Sequence, residues 1–244
     1  MGIDCAFALQ LLEAVPLVQG RSAGLMLGRQ GLAVRQGHRK YLRRALAARD
    51  LSRNYPDYLQ EDGFAETFLQ KIGYPEMQAM DASAYENCAI THDLNDPLPQ
   101  HLRGRFDVVI DGGTLEHVFN TPQALDNVFH LLREGGIFLS INGMSGWAGH
   151  GFYQFSPELV WRYWQDARGC EVLACRAVSI DPAEPPVEVM DTGKQGARFR
   201  ARKLEGRWYL YHAIRKPGTA NAAERIAKTA QGDYALRWER GAAE

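Results

Sequence analysis

The 244-residue chain predicts an α/β protein built on a doubly wound, mostly parallel seven-stranded sheet with an antiparallel C-terminal edge. Three observations carry that prediction. Short apolar runs alternate with segments of helical periodicity. The runs stop abruptly at glycine or aspartate, at Gly28, Asp81, Asp93 and Asp111. After Gly169 two longer apolar runs follow one another with no helix between them, as in an antiparallel sheet edge.

The elements follow in order. Residues 5–18 are apolar but contain Glu13 and lack a basic lead-in, so residues 1–20 read as a helix packed on the domain, neither a secretory signal nor a membrane span. Leu25, Met26 and Leu27 form a first strand closed by the turn Gly28-Arg29-Gln30-Gly31. Residues 34–60 carry the basic cluster from His38 to Arg44 and then Asn54-Tyr55-Pro56-Asp57, which reads as an inserted helical region after strand 1 rather than as core. Phe64, Phe68, Leu69 and Ile72 recur at helical spacing, with Gly73 as the stop. A second strand ends at Asp81, and a third, Cys88-Ala89-Ile90, ends at Asp93-Leu94-Asn95.

Val108, Val109 and Ile110 suit a fourth strand buried on both faces, which breaks at Asp111-Gly112-Gly113. Thr121-Pro122 opens a helix as N-cap and first-turn proline, Leu125, Val128, Phe129 and Leu132 give it one apolar face, and Gly135-Gly136 ends it. Residues 137–141 form the fifth strand. Ser156-Pro157-Glu158 starts a helix bearing Leu159, Val160, Trp161 and Trp164, and residues 171–180 and 207–214 supply the last two strands. A domain of residues 1–216 is thereby predicted, followed by a polar tail or helix at 217–244.

Composition narrows the function. A net charge of -1 creates no global field for nucleic acid or membrane, which makes small-molecule chemistry the default. Cys5, Cys88, Cys170 and Cys175 are scattered without Cys-x-x-Cys spacing, so no metal site and no disulfide framework is expected, and the thiols suit a cytoplasmic protein. Arg198, Arg200 and Arg202, with Lys203, alternate as a protected edge strand does. No RNA-binding fingerprint accompanies them, so nucleic acid is not expected as a partner, while a phosphorylated or nucleotide-linked acceptor stays open.

The segment from Phe106 to Asn120, with Leu131 to Leu139 after it, reads strand, Asp111-x-x-x-x-Glu116-His117, a helix ending in Leu132-Arg133-x-Gly135-Gly136, and a further strand. This pattern resembles the middle of the class I S-adenosylmethionine-dependent methyltransferases. The resemblance runs from about Ser22 to about Pro217 and is strongest between Met77 and Leu139. It implies a Rossmann-like sheet, S-adenosylmethionine as cofactor, and methyl transfer to O or N of a small molecule or glycan precursor.

Residue by residue, the resemblance places Asp81, with Ala82 and Ser83, at the cofactor ribose; the residues alone equally allow Asp81 to cap the following helix. It places Asp93 at the adenine amino group and the Leu94 N–H at a ring nitrogen, although Asp-Leu-Asn-Asp-Pro is also good turn chemistry. Gly28 with Arg29, and Asp111 with Gly112, would border the methionine end. Only Gly28 and Gly31 represent the usual glycine-rich loop, and Arg29 either binds the cofactor carboxylate or obstructs the pocket. Asp81 lies well beyond the roughly 20 positions from the glycine turn that a simple dinucleotide unit shows, which requires an insertion.

His117 is a candidate base, since imidazole titrates near neutrality, with Glu116 to orient it; both residues could instead merely organise the start of a helix. The loop Trp147-Ala-Gly-His-Gly-Phe-Tyr-Gln-Phe155 combines glycine flexibility with aromatics and a second candidate base, His150, and suits either an acceptor lid or a core plug. The rival readings are a non-catalytic methyltransferase-like binding protein and an enzyme using the same cofactor for another reaction. A nicotinamide oxidoreductase ranks below them for want of Gly-x-Gly-x-x-Gly. A homodimer stays open.

Overall fold

The computed structural model describes residues 2–193, 196–200, 204–218 and 229–241. Its strands are β1 (Gly2–Ile3), β2 (Gly24–Leu27), β3 (Gly31–Leu32), β4 (Met77–Asp81), β5 (Ile90–Thr91), β6 (Phe106–Gly112), β7 (Leu132–Ser145), β8 (Glu171–Ser179), β9 (Val187–Glu188) and β10 (Trp208–Arg215). Eight of them form one sheet in the order β5-β4-β2-β6-β7-β10-β8-β9, while β1 and β3 pair with each other apart from it. From β5 to β7 every pairing is parallel. β10 runs antiparallel to both β7 and β8.

Seven strands were expected, and the eighth is β9, a two-residue strand in the proline-rich stretch, too short to show a period in sequence. β10 is also not the outermost strand. It enters between β7 and β8, an order that strand succession alone does not reveal.

The two faces of the sheet follow from the alternation of side chains along each strand. Met26, Val108, Ile110, Ile137 and Leu139 face one layer, made by α1 (Cys5–Val18), α2 (Arg39–Ala47) and α3 (Glu66–Lys71). Leu25, Leu27, Val109 and Phe138 face the other, made by α4 (Thr121–Leu131) and a π-helical segment (Leu159–Ala167) that buries Trp164 completely. The central strands are therefore dry on both sides, as their unbroken apolar runs predict.

α1 starts where the Asp4 side chain accepts the Phe7 N–H at 2.9 Å, a capping bond that fixes the helix origin near the C-terminal edge of the sheet. Residues 34–60 differ from expectation. Leu42 and Leu46 of α2, which packs on α1, and Tyr55 and Tyr58 are buried in the same core as α1, so this stretch supplies core, and the basic residues that suggested otherwise are the outer face of an amphipathic α2. α4 also ends earlier than its glycines suggest, because Leu132 already pairs with Phe106 in the sheet. The C-terminal part includes α5 (Gly232–Gly241), whose buried Asp233 accepts from Arg198 Nε at 2.8 Å; Arg202 and Lys203 lie outside the described residues. Among the described residues no helix is long and apolar enough to cross a membrane.

The site is positioned by register. Leu27 aligns with Met80 on one side and Asp111 on the other, and the Gly28 N–H reaches the Met80 carbonyl at 2.7 Å. The tips of β2, β4 and β6 thus end level with one another. The chain crosses to opposite sides of β2 at this point, and in open parallel sheets that reversal leaves a ligand-binding crevice.

Candidate active site

The turn after β6 is built around a carboxylate with no exposure to water. Asp111 accepts the Thr114 N–H at 2.8 Å and the Leu115 N–H at 3.3 Å on one oxygen, and Ser140 Oγ at 2.9 Å and Asn142 Nδ2 at 2.6 Å on the other. Burial pushes its pKa up against these four bonds. The Asp111 side chain is therefore committed to holding the turn, and what this turn can offer a ligand is backbone at Gly112 and Gly113. Thr114 Oγ donates to the Leu27 carbonyl at 2.5 Å, which staples the turn to β2.

Gln30 shapes the same spot from the other side. It is wholly buried, donates from Nε2 to the carbonyls of Leu27 at 2.7 Å and Gly28 at 3.3 Å, and rests its oxygen on Gly112. A β-carbon at Gly112 would stand 2.5 Å from that oxygen, so any larger residue here would have to displace Gln30.

Rigid attachment of the turn delivers Glu116 and His117, which sit on a 3₁₀ turn (Leu115–His117) ahead of α4 rather than within a helix. The Glu116 side chain is only 4% exposed. Its Oε2 accepts the Gly143 N–H at 2.5 Å, and its Oε1 lies 3.2 Å from His150 Nε2 and 3.8 Å from His117 Nε2. Burial pushes the Glu116 carboxyl up to about 7, with the neighbouring Asp111 charge acting in the same direction. Burial, followed by repulsion from His150, pushes His117 down. The two imidazoles meet edge to face with ring centres 5.2 Å apart.

The loop holding His150 folds onto the Glu116 turn. The Phe152 and Tyr153 N–H groups donate to the Glu116 carbonyl at 2.8 and 3.2 Å, and Gly151, at φ +94°, comes so close that a β-carbon would lie 2.8 Å from that oxygen. Of its aromatics, Trp147 and Phe155 are buried as plugs, whereas Phe152 is 65% exposed beside Phe119. A cavity of about 220 Å³ opens between Phe7, Gly112, Gly113, Glu116, Trp147 and His150. Its far wall is closed by Tyr209, whose hydroxyl donates to Asp4 at 3.0 Å.

The predicted nucleoside-side residues lie along the neighbouring tips. The carboxylate of Asp81, half-buried at the end of β4, accepts only the Ser83 N–H at 3.2 Å among the described residues, and Ala82 and Ser83 are exposed. Asp93 accepts the N–H and side-chain amide of Asn95 at 2.9 and 2.8 Å, bonds that hold its carboxyl below the usual range. Leu94 is buried, and its carbonyl is bonded by Asn127 Nδ2 at 3.1 Å. Gly28 takes φ +66°. Arg29 is already paired, with Glu66 at 2.6 Å and Asp62 at 2.8 Å, and its guanidinium lies 3.9 Å from the centre of the Phe64 ring. The structure thus joins His117 and His150 in one cluster and aligns Gly28, Asp81 and Asp93 along one edge, while directing the charge of Arg29 to internal partners.

No protein-family model matches the chain, and no curated protein matches it. Solved structures do. A chain assigned as a methyltransferase, in complex with the Haloferax volcanii Trm112 methyltransferase activator, is 16% identical over 87% of this chain and 89% of its own, with a TM-score of 0.50. The chain has the class I methyltransferase fold. Further structures with lower scores are the 1,6-didemethyltoxoflavin-N1-methyltransferase of Burkholderia thailandensis, solved with 1,6-didemethyltoxoflavin and S-adenosylhomocysteine (18% identity, 86% and 77% coverage, TM-score 0.44), and an S-adenosylmethionine-dependent methyltransferase from Aquifex aeolicus (12% identity, 85% and 88% coverage, TM-score 0.43). At such identities the likeness concerns the fold.

Within the methyltransferase fold the sequence left three site features unseen. Gln30 appears in the sequence only as part of a turn, yet it fills the space between the tips of β2 and β6. Ser140 and Asn142 lie in an apolar strand where two polar residues at alternate positions were the available signal that something buried needed donors. The Asp4–Tyr209 bond joins residues 205 positions apart, and no local pattern announces it.

Proposed function

We propose that the chain is an S-adenosylmethionine-dependent methyltransferase that transfers a methyl group to O or N of a small-molecule or glycan-precursor acceptor. The observation that carries this reading is the sharing of one sheet edge by two partly open carboxylates at adjacent tips, Asp81 and Asp93, and a cavity lined by Glu116 and His150.

The residues present fit the adenosine half of that cofactor. One oxygen of Asp81 and one of Asp93 accept no bond among the described residues, so each retains capacity for a hydroxyl or an amino donor. Asp81 would take the ribose hydroxyls, Asp93 the adenine amino group, and the Leu94 N–H a ring nitrogen. For the amino-acid half, Gly112-Gly113 at the cavity offer backbone, since Arg29 is neutralised by Glu66 and Asp62 and both backbone groups of Gly28 are already bonded. When bound, the cofactor supplies a methyl group already activated on sulfonium, which leaves the protein mainly the task of alignment.

On the acceptor side, His150 stands half-exposed at the cavity with Nε2 directed to Glu116. In this reading His150, whose Nε2 lies 3.2 Å from Glu116 Oε1, would take the acceptor proton, with Glu116 as its nearest carboxylate. Trp147 and Phe7 limit water at the reacting end of the cavity.

A second reading, a binding protein without transfer activity, draws on Gln30, which occupies space beside Gly112 at the methionine end. Titration calorimetry with S-adenosylmethionine and S-adenosylhomocysteine separates the two readings. Binding of both, followed by release of S-adenosylhomocysteine on turnover, supports transfer; release of methylthioadenosine indicates another reaction on the same cofactor, and no binding of either favours the second reading.

A further inference from the structure

We propose that Glu116, His117 and His150 form a binding site for one divalent transition-metal ion at the wall of the cavity beside Gly112 and Gly113. Each residue offers one ligand atom, and the three atoms lie within 4.8 Å of one another. The separations from Glu116 Oε1, 3.2 Å to His150 Nε2 and 3.8 Å to His117 Nε2, bracket the roughly 3.4 Å that separates two tetrahedral ligands on a metal with bonds of about 2.1 Å. Both imidazoles converge on the same carboxylate oxygen. A common point of convergence for two nitrogens and one oxygen is what an ion arranges.

The chemistry of the set agrees with its geometry. Two imidazoles and one carboxylate suit zinc, manganese, iron and their neighbours, and a three-ligand set leaves a coordination position for water or substrate. The carboxylate is nearly all buried, and a charge at such a place requires a partner. The supporting shell is also present: the Gly143 N–H holds the other Glu116 oxygen at 2.5 Å, and the Phe152 and Tyr153 N–H groups hold the Glu116 carbonyl, so the ligand turn and the His150 loop are fixed to each other. The imidazole side chains are 39% and 50% exposed, which leaves a path for an ion from solvent.

Joined to the transferase reading, on which this consequence alone rests, the ion would anchor an acceptor oxygen or nitrogen at its open position and lower the pKa of that atom, taking over from His150 as the means of activation. The metal site itself stands without the donor.

The test uses the full chain, stripped with chelator and titrated with zinc chloride in the absence of any cofactor. One ion per chain is expected to bind with micromolar or tighter affinity, and cobalt is expected to replace it with the absorption of a low-coordinate ion. His150→Ala, at a half-exposed position, and Glu116→Gln are each expected to weaken zinc by about tenfold or more, whereas His130→Ala, on α4, leaves it unchanged. Thermal melts identify variants that fail to fold, and the His150 variant carries the test if the buried Glu116 variant does. Absence of zinc binding, or binding indifferent to His150→Ala, overturns the proposal. Cofactor calorimetry on the same stripped protein reports separately, so failure of the metal site and failure of the transferase reading remain distinguishable.

Discussion

Asn142 donates to Asp111 at 2.6 Å and so ties the tip of β7 to the turn that leaves β6. The bond is one of four that Asp111 accepts, beside the Thr114 staple to Leu27, in holding the turn that delivers Glu116 and His117. Asn142→Ala removes one of four donors from a fully buried carboxylate, and a loss of about 1–3 kcal/mol in unfolding free energy is expected. Urea unfolding should show a lower midpoint at unchanged slope; an unchanged midpoint would show that the turn is held by other means.

Asp81 is expected to act on binding and not on stability. Asp81→Asn keeps the shape and the bond to Ser83 but removes the charge that would face the ribose, so affinity for S-adenosylhomocysteine should fall about tenfold or more while the melting temperature stays put. Calorimetry and a thermal melt on the same sample check both halves.

Gly112 and Gln30 should be energetically coupled. Gly112→Ala drives a methyl group to within 2.5 Å of the Gln30 oxygen and is expected to cost about 1–3 kcal/mol. Combining it with Gln30→Ala vacates that space. A double-mutant cycle should then show the glycine substitution to be less costly in the truncated background, and additivity would mean that the two do not touch.

His212, on β10, gives the fold a defined acid sensitivity. It is buried against Phe138 and Trp164, neither ring nitrogen has a partner among the described residues, and burial lowers its pKa from 6.5 to about 3. The folded state therefore resists a proton that the unfolded chain accepts, so this residue's contribution is fully present above about pH 6.5 and is lost progressively as pH falls toward 3. His212→Leu should flatten the acid limb of a stability profile in that window. An acid limb that keeps its steepness in the variant would place the sensitivity in the carboxylates.

Much of this was legible in the sequence where the causes are local. Val108, Val109 and Ile110 read as a strand dry on both faces because alternate side chains really do meet two different helical layers. The four strand-end residues Gly28, Asp81, Asp93 and Asp111 fell at one edge because a parallel sheet puts all its C-terminal tips together. What stayed hidden depends on long-range partners. The carboxylate of Asp111 looks like a ligand group until Ser140 and Asn142 are seen to consume it, and Arg29 looks free until Asp62 and Glu66 fold against it. The basic run at 38–44 misled because charge on one face of α2 conceals the apolar face beneath it.

The position of β10 bears on how this chain must be made. Because β10 fills the slot between β7 and β8, each of those strands has a bare hydrogen-bonding edge until β10 arrives. A nascent chain that has emerged only through β8 carries two unpaired apolar ribbons side by side, the kind of surface that recruits other chains. Completion of the sheet therefore waits on β10, and truncation before Trp208 should yield insoluble material rather than a smaller domain.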